Sequence, residues 1–375
     1  MSQRLRSPSE PRGCASASEA SANVSLAPRL IHRDERATST ERCAEVGLPR
    51  VGRQVHSLLH SRSSRAIDTS GFAFVMATGI VSVAAGLQHL HALSEALLVV
   101  ACVGWATLAF ALLLSVTAGS PGRPGPGSFA LVAATAVLGT RFSFGGQPLV
   151  ALALWALALS AWLALLAVAR RQGRADGGWF LVVVGTESLA VLASLLAPRW
   201  GTPFLDAALG WWLLGLCLYP AIATAIAAEL RRCPGFAPAL WITMGALAIA
   251  TLAGTELLLA ARTLHALTPV RPVLRVGDLM LWALASAWIL PLAVAELRSP
   301  AGWRNPHGRW SFVFPLGMYA VASQLLARAA PLPPLAGVGR AFFGLALLAW
   351  TLMLIGHAAA GFRPRPARYN NRTTM

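Results

Sequence analysis

Two glutamates, Glu187 and Glu256, lie within long apolar segments of the sequence. An ionisable side chain at membrane depth costs at least ~2.5 kcal/mol on insertion scales, which makes it a candidate functional group. A bare carboxylate would repel an anion, so each acid must carry a proton or face a cation. Arg141 and Arg262, at the outer ends of apolar segments, are the available cations. A structural ion pair or a hydrogen bond between helices is the alternative for both acids.

A second candidate is Phe314, which directly precedes Pro315 near the start of another apolar segment. Proline removes a backbone donor and kinks a helix. A kink can direct the neighbouring ring into a lumen, where an apolar constriction gates ions by excluding water. The residues alone leave open that the ring packs against lipid or another helix.

The sequence gives little support for a metal site, a cofactor, an ATP-driven pump or an enzyme. No apolar run pairs two of the eight His at helical spacing, and the five Cys form no C-x-x-C pair, so we predict no metal and no cofactor. The chain has no Lys and therefore no phosphate-binding G-x-x-x-x-G-K motif, which excludes an ATP-driven pump within this chain. An integral membrane enzyme using Glu187 and Glu256 as acid and base is the alternative class. Against it, the two acids appear at different depths with no Asp or His nearby.

The composition identifies the elements that must position these residues. Hydrophobic residues make up 56% of the 375 residues and charged residues 12%, against roughly 25% charged in soluble domains. Apolar runs of about 20 residues are long enough to cross a membrane as helices. We therefore predict an all-α integral membrane protein in contact with the lipid bilayer. The ten predicted runs are 71–88, 94–118, 128–142, 148–169, 179–197, 204–230, 239–261, 276–297, 310–328 and 337–360.

The net charge of +16 comes from Arg. These Arg lie in the tails and between apolar runs, which favours membrane topology over nucleic-acid binding. More of them fall on the side of the N-terminal tail, so we predict cytoplasmic N and C termini in a bacterial cytoplasmic membrane. Residues 1–66 are predicted to be a disordered basic tail, or the product of a start site assigned too far upstream. The transport domain is expected over 70–361 and a C-terminal tail over 362–375.

Odd and even runs differ in composition. Trp residues inside runs fall in the even ones, whereas the odd runs carry small residues that allow close helix approach or leave a lumen open. Simple helix packing is the alternative for any one of them. The alternation predicts an inner ring of odd helices and an outer ring of even ones. With Glu187 and Glu256, the candidate pore-lining residues are Thr78, Gly79, Gly139, Thr140, Gly185, Thr186, Gly254, Thr255 and Gly317.

An internal sequence repeat supports this arrangement. Gly-Thr-Glu-Ser-Leu at 185–189 matches Gly-Thr-Glu-Leu-Leu at 254–258. The two segments lie in the fifth and seventh runs, which cross the membrane in the same direction. The repeat is therefore a parallel two-helix hairpin, and five such hairpins about an axis would form a central path.

Two segments carry a family resemblance. Phe-Ala-Phe-Val-Met-Ala-Thr-Gly-Ile at 72–80 opens the first run, and Trp-Ser-Phe-Val-Phe-Pro-Leu-Gly at 310–317 opens the ninth. Both resemble the tellurite-resistance/dicarboxylate transporter family, which includes plant slow-type anion channels and fungal malate and sulfite transporters. Val-Gly-Thr-Glu-Ser-Leu-Ala at 184–190 is similar to its actinobacterial members. The resemblance covers residues 70 to about 360.

The resemblance implies five hairpins with odd helices around a pore, commonly a homotrimer, and a phenylalanine on the ninth helix that plugs the pore. By the Trp-x-x-x-Phe-Pro pattern, that residue corresponds to Phe314. The implied substrates are small anions: tellurite, sulfite, C4-dicarboxylates, chloride or nitrate. Glu187 and Glu256 depart from the family's mostly uncharged pore, which keeps a proton-coupled carrier open beside a channel.

Overall fold

The computed structural model describes residues 71–119, 124–168, 176–232, 237–298 and 310–361. The predicted tails, 1–66 and 362–375, lie outside the described residues. The described part forms ten α-helices and contains no strand. In chain order the helices are α1 Phe72–Leu87, α2 His91–Thr117, α3 Ala130–Phe144, α4 Pro148–Val168, α5 Phe180–Trp200, α6 Thr202–Arg232, α7 Trp241–Thr263, α8 Arg271–Arg298, α9 Trp310–Ala329 and α10 Pro333–Gly361.

Helix length matches a membrane-spanning role. Within the described ranges, nine helices are long and apolar enough to cross a membrane. Short 3₁₀ turns extend α3, α5 and α7 at their N-terminal ends. The remaining helix, α1, has 16 residues, which corresponds to ~24 Å of helix. The all-α membrane fold predicted from the apolar runs is confirmed.

The five odd helices form a closed inner ring. Each of α1, α3, α5 and α7 packs against the next odd helix, and α9 packs back against α1. Each even helix packs mainly on the odd helix before it in the chain, which gives five hairpins. In the most apolar 18-residue stretch of each helix, 72–94% of the residues are buried in α3, α5, α7 and α9, whereas 17% are buried in every even helix. The even helices therefore form an outer ring, and the polar groups of the odd helices are shielded from lipid.

Tryptophan side chains of the outer ring tie neighbouring hairpins together. Each even helix carries at least one Trp whose indole nitrogen donates a hydrogen bond to the odd helix that follows in the ring; α4 carries a second, Trp155, which donates to the carbonyl oxygen of Leu189 (3.2 Å). The bonds run from Trp105 to Thr135 (2.9 Å), Trp162 to Thr186 (3.0 Å), Trp212 to the carbonyl oxygen of Ala250 (2.9 Å), Trp282 to Ser323 (2.9 Å) and Trp350 to Thr78 (2.9 Å). The last of these joins α10 to α1 and closes the ring. This repeated bond explains why the Trp residues inside the runs fall in the even ones, because an indole donor in lipid needs an acceptor.

Glycines allow the inner helices to approach closely. A Cβ atom at Gly317 on α9 would lie 2.8 Å from a methyl carbon of Ile80 on α1. A Cβ atom at Gly79 on α1 would lie 2.9 Å from a methyl carbon of Val137 on α3. Only glycine fits these two contacts without displacement, so at these positions the small residues serve helix packing.

The helix boundaries differ from the sequence prediction mainly at the starts of even helices. The eighth run was predicted from 276 and begins at Arg271, and the tenth was predicted from 337 and begins at Pro333. The first turns of these helices contain Arg or Pro, which lower the local hydropathy without preventing a helical turn. Proline is well suited to the first turn because its missing N–H would have no partner there.

Candidate anion pathway

A narrow cavity lies where the five odd helices meet. It is lined by residues from every one of them and has a volume of about 10 Å³, close to the minimum that holds one water molecule. The lining is apolar except for Thr140 and Ser188, and the Ser188 hydroxyl donates to the carbonyl oxygen of Val184 at 2.7 Å. The lining residues are Ile80, Val137, Thr140, Ser188, Val191, Ile249, Leu252 and Met318.

Phe314 lies on the same helix face as one of these lining residues. Met318 lines the cavity, and residues four positions apart share a face of an α-helix, so Phe314 occupies that face one turn earlier. Its side chain is fully buried. The helix α9 continues through Pro315, and a Cβ atom at Gly245 on α7 would lie 2.9 Å from the Pro315 ring. The proline is therefore held between two inner helices.

Most of the predicted pore-lining residues lie away from this cavity. The Thr78 and Thr186 hydroxyls accept Trp hydrogen bonds from the outer ring, and Thr255 donates to Asp278 on α8 at 2.5 Å. Of the predicted set, Thr140 is the residue that lines the cavity. Cβ atoms built at the remaining glycines would meet neighbouring helices: Gly139 faces Leu192, Gly185 faces Phe129 and Val132, and Gly254 faces Asp278 and Trp212.

Sequence reasoning missed the other lining residues because apolar side chains in an apolar helix give no signal of which face meets the axis. Pairs three residues apart, Val137 and Thr140 on α3 or Ser188 and Val191 on α5, mark that face in retrospect. Their spacing is equally typical of a packed helix face. The lining therefore depends on the rotation of each helix, which tertiary packing determines.

The two glutamates occupy different environments. Glu256 is buried and follows the lining residue Leu252 by four positions, so it lies on the lumen-side face one turn further along α7. The charge of Arg328, near the end of α9, acts on Glu256. Glu187 is fully buried but lies beside Gly215 of the outer helix α6, where a Cβ atom would collide with its carboxyl group. Glu187 therefore faces the outer ring, contrary to its predicted pore-lining position.

A third buried acid, Asp278 on α8, accompanies Glu187. Asp278 is fully buried, accepts the Thr255 hydrogen bond and interacts electrostatically with Glu187. Both Glu187 carboxyl oxygens and one Asp278 oxygen have no hydrogen-bond partner among the described residues. The expectation that no Asp lies near Glu187 was wrong. In the sequence, Asp278 stands close to Arg271 and Arg275, a pattern more typical of a solvated helix end.

The two arginines considered as partners for these acids are engaged elsewhere. Arg141 is buried and pairs with Glu95 at 2.5 Å, and it also donates to the hydroxyls of Ser82 and Ser94. It therefore joins α3 to the α1–α2 hairpin. Arg262 donates to the carbonyl oxygen of Ala329 at 2.6 Å, at the end of α9. Both residues therefore stabilise contacts between the ends of neighbouring helices.

A closed ring of hairpins built from apolar helices, nine of which in the described ranges are long enough to cross a membrane, defines the protein as a multi-pass membrane protein. The chain matches the family SLAC1, voltage-dependent anion channel, over residues 67–358, and it belongs to this family. This match confirms the resemblance found in the sequence.

Two bacterial relatives are also similar to the chain. The uncharacterized membrane protein MT1776 of Mycobacterium tuberculosis (strain CDC 1551 / Oshkosh) is 32% identical over 154 residues, which are 38% of this chain and 78% of that protein. The uncharacterized membrane protein Rv1735c of Mycobacterium tuberculosis (strain ATCC 25618 / H37Rv) shows the same identity and coverage. These relatives support a membrane protein and name no substrate.

Proposed function

We propose that the protein conducts small anions along the axis of the inner ring. The observation that carries this proposal is the axial cavity, to which all five odd helices contribute and which has no charged residue in its lining. An uncharged lining suits anions, because a carboxylate at the axis would repel them. Tellurite, sulfite, C4-dicarboxylates, chloride and nitrate are the candidate substrates.

The proposed gate is Phe314. At about 10 Å³ the axial cavity is too small for a hydrated anion, so the structure has the dimensions of a closed pore. Phe314 lies on the face of Met318, and its side chain is fully buried in the N-terminal half of α9. An aromatic ring at the axis would fill the cross-section and prevent hydration of the ion.

Anion flux through the purified protein in liposomes tests the proposal. Wild-type protein should carry at least one candidate anion faster than protein-free liposomes. Ser188→Leu would place a bulky side chain in the axial cavity and should reduce that flux strongly. The matched control is Ser160→Leu, because Ser160 is exposed on the outer helix α4. Equal flux in the two variants would contradict an axial path.

A proton-coupled carrier is the second candidate function. The observation that favours it is the unpartnered carboxyl group of Glu187, buried beside Asp278. Two carboxyl groups in such surroundings are expected to bind at least one proton between them. The charged neighbour of Glu187 is Asp278 on α8, and residues 148–168 of the adjacent helix α4 contain no titratable side chain. The pair then serves as a proton site beside the anion path.

Location and assembly belong to the same proposal. The Arg pattern of the sequence supports a bacterial cytoplasmic membrane with both termini in the cytoplasm. The odd helices then begin inside and end outside. The homotrimer implied by the family resemblance is tested by the mass of the purified protein in a mild detergent.

A further inference from the structure

A second, larger cavity lies between α1, α9 and α10, on the side of the bundle where the odd helices end. Its volume is about 300 Å³. We call it the basic pocket and define it by Gln88, His89, Gln324, Arg328 and Arg340, its polar lining residues. It is separate from the axial cavity, whose lining shares no residue with it.

The lining of the basic pocket is rich in hydrogen-bond donors. The guanidinium groups of Arg328 and Arg340 carry donors and no acceptor, and Gln88 and Gln324 add amide groups. No carboxylate is among the described residues that line the pocket. Arginine presents its donors in a planar fork that matches the oxygen atoms of a small oxyanion. The pocket therefore has the chemistry of an anion site.

Gln324 provides an independent observation. Only 6% of this residue is exposed, and its Nε2 atom has no hydrogen-bond partner among the described residues. A buried donor without a partner is unfavourable, so the position calls for an acceptor. The side chain is also held in place, because α10 crosses α9 so closely that a Cβ atom at Gly339 would collide with the Gln324 side chain.

We propose that the basic pocket binds one small oxyanion from the outer solution. Arg328 and Arg340, both exposed, would attract the anion, and the buried Gln324 amide would complete its coordination. The inference rests on the proposed function in one respect, since it places an anion-recruiting site at the outer end of α9, the helix that carries the proposed gate. A lipid phosphate shares this ligand chemistry, and the proposal commits to the free anion.

Direct binding measurements test this site without any flux measurement. The full chain, purified in a neutral detergent and freed of phospholipid, is titrated with nitrate by calorimetry. Wild-type protein should bind one nitrate per chain. Gln324→Leu and Arg340→Gln should each raise the dissociation constant about tenfold, the loss expected for one hydrogen bond to a charged ligand. Arg199→Gln, which removes an exposed positive charge at the same end of the bundle but outside the pocket, should leave it unchanged.

Three outcomes would overturn the proposal. The first is the absence of saturable nitrate binding to folded protein. The second is an equal loss of affinity in Arg199→Gln and Arg340→Gln, which would indicate general surface charge. The third is a phospholipid that remains bound at one per chain and is not displaced by nitrate. Arg340→Gln alters an exposed side chain and keeps the test valid if Gln324→Leu does not fold. Because binding is measured without transport, failure of the axial path would leave these results interpretable.

Discussion

The hydrogen bond from Trp350 on α10 to Thr78 on α1 closes the ring of hairpins, and its removal should weaken the whole bundle. Trp350→Phe keeps an aromatic side chain and removes the indole donor. Thr78→Val keeps the β-branched shape and removes the acceptor. Between membrane helices such a bond contributes about 0.6 kcal/mol on average and about 1.7 kcal/mol at most. The 2.9 Å distance and the part-buried position favour a value within this range.

The contribution can be isolated with a double-mutant cycle. Unfolding of wild type, both single variants and the double variant is followed by circular dichroism during titration with a denaturing detergent. We expect a coupling energy of about 0.6 kcal/mol. Thr351→Val is the matched control, because the Thr351 hydroxyl bonds only its own helix, at the carbonyl oxygen of Leu347, and is exposed. A coupling energy indistinguishable from zero, or a Thr351→Val variant as unstable as Thr78→Val, would refute the reasoning.

Further predictions concern the topology, the buried acid pair and the Arg141 contacts. Reporter fusions at residues 60 and 370 should both report the cytoplasm, and a periplasmic signal from either fusion would remove one span from the topology. Deletion of 1–66 should leave insertion and transport intact. Glu187→Gln and Asp278→Asn should fold and should abolish any pH dependence of flux, whereas unchanged pH dependence in both would exclude the proton-coupled carrier that uses this pair. Glu95→Gln should lower the free energy of unfolding by under ~1 kcal/mol, because Glu95 is exposed. Arg141→Leu should lower it further, since this variant removes bonds to three residues of the α1–α2 hairpin. Titration with a denaturing detergent measures both values, and an equal loss would show that Arg141 acts through Glu95 alone.

The architecture could be predicted because it depends on properties that the sequence displays directly. Apolar runs of membrane length locate helices, and the placement of the Trp residues inside the runs, which fall in the even ones, indicates an outer ring. The structure supplies the physical reason for this pattern in the bonds from Trp to the next odd helix. Thr78 and Thr186 therefore helped to predict the arrangement in two rings, although their hydroxyls face the outer ring.

The site could be predicted less well because it depends on helix rotation and on contacts between distant segments. Ser188 lines the axial cavity and the preceding Glu187 faces α6, a difference of about 100° on one helix that the apolar pattern of α5 does not determine. Asp278 stands 91 positions after Glu187 in the sequence, and only the tertiary packing of the bundle brings the two acids together. Gln324 gave no signal in the sequence because a single amide in an apolar run resembles an ordinary helix contact.

The central claim, that anions cross along the axis of the inner ring past Phe314, is tested most directly by the conductance of Phe314→Ala in planar bilayers. The account predicts that this variant conducts anions constitutively and far faster than wild type. Phe312→Ala should behave as wild type, since Phe312 lies about 200° around the helix and packs against Trp241 with ring centroids 4.6 Å apart. A Phe314→Ala protein that inserts normally and conducts no more than wild type would contradict the account.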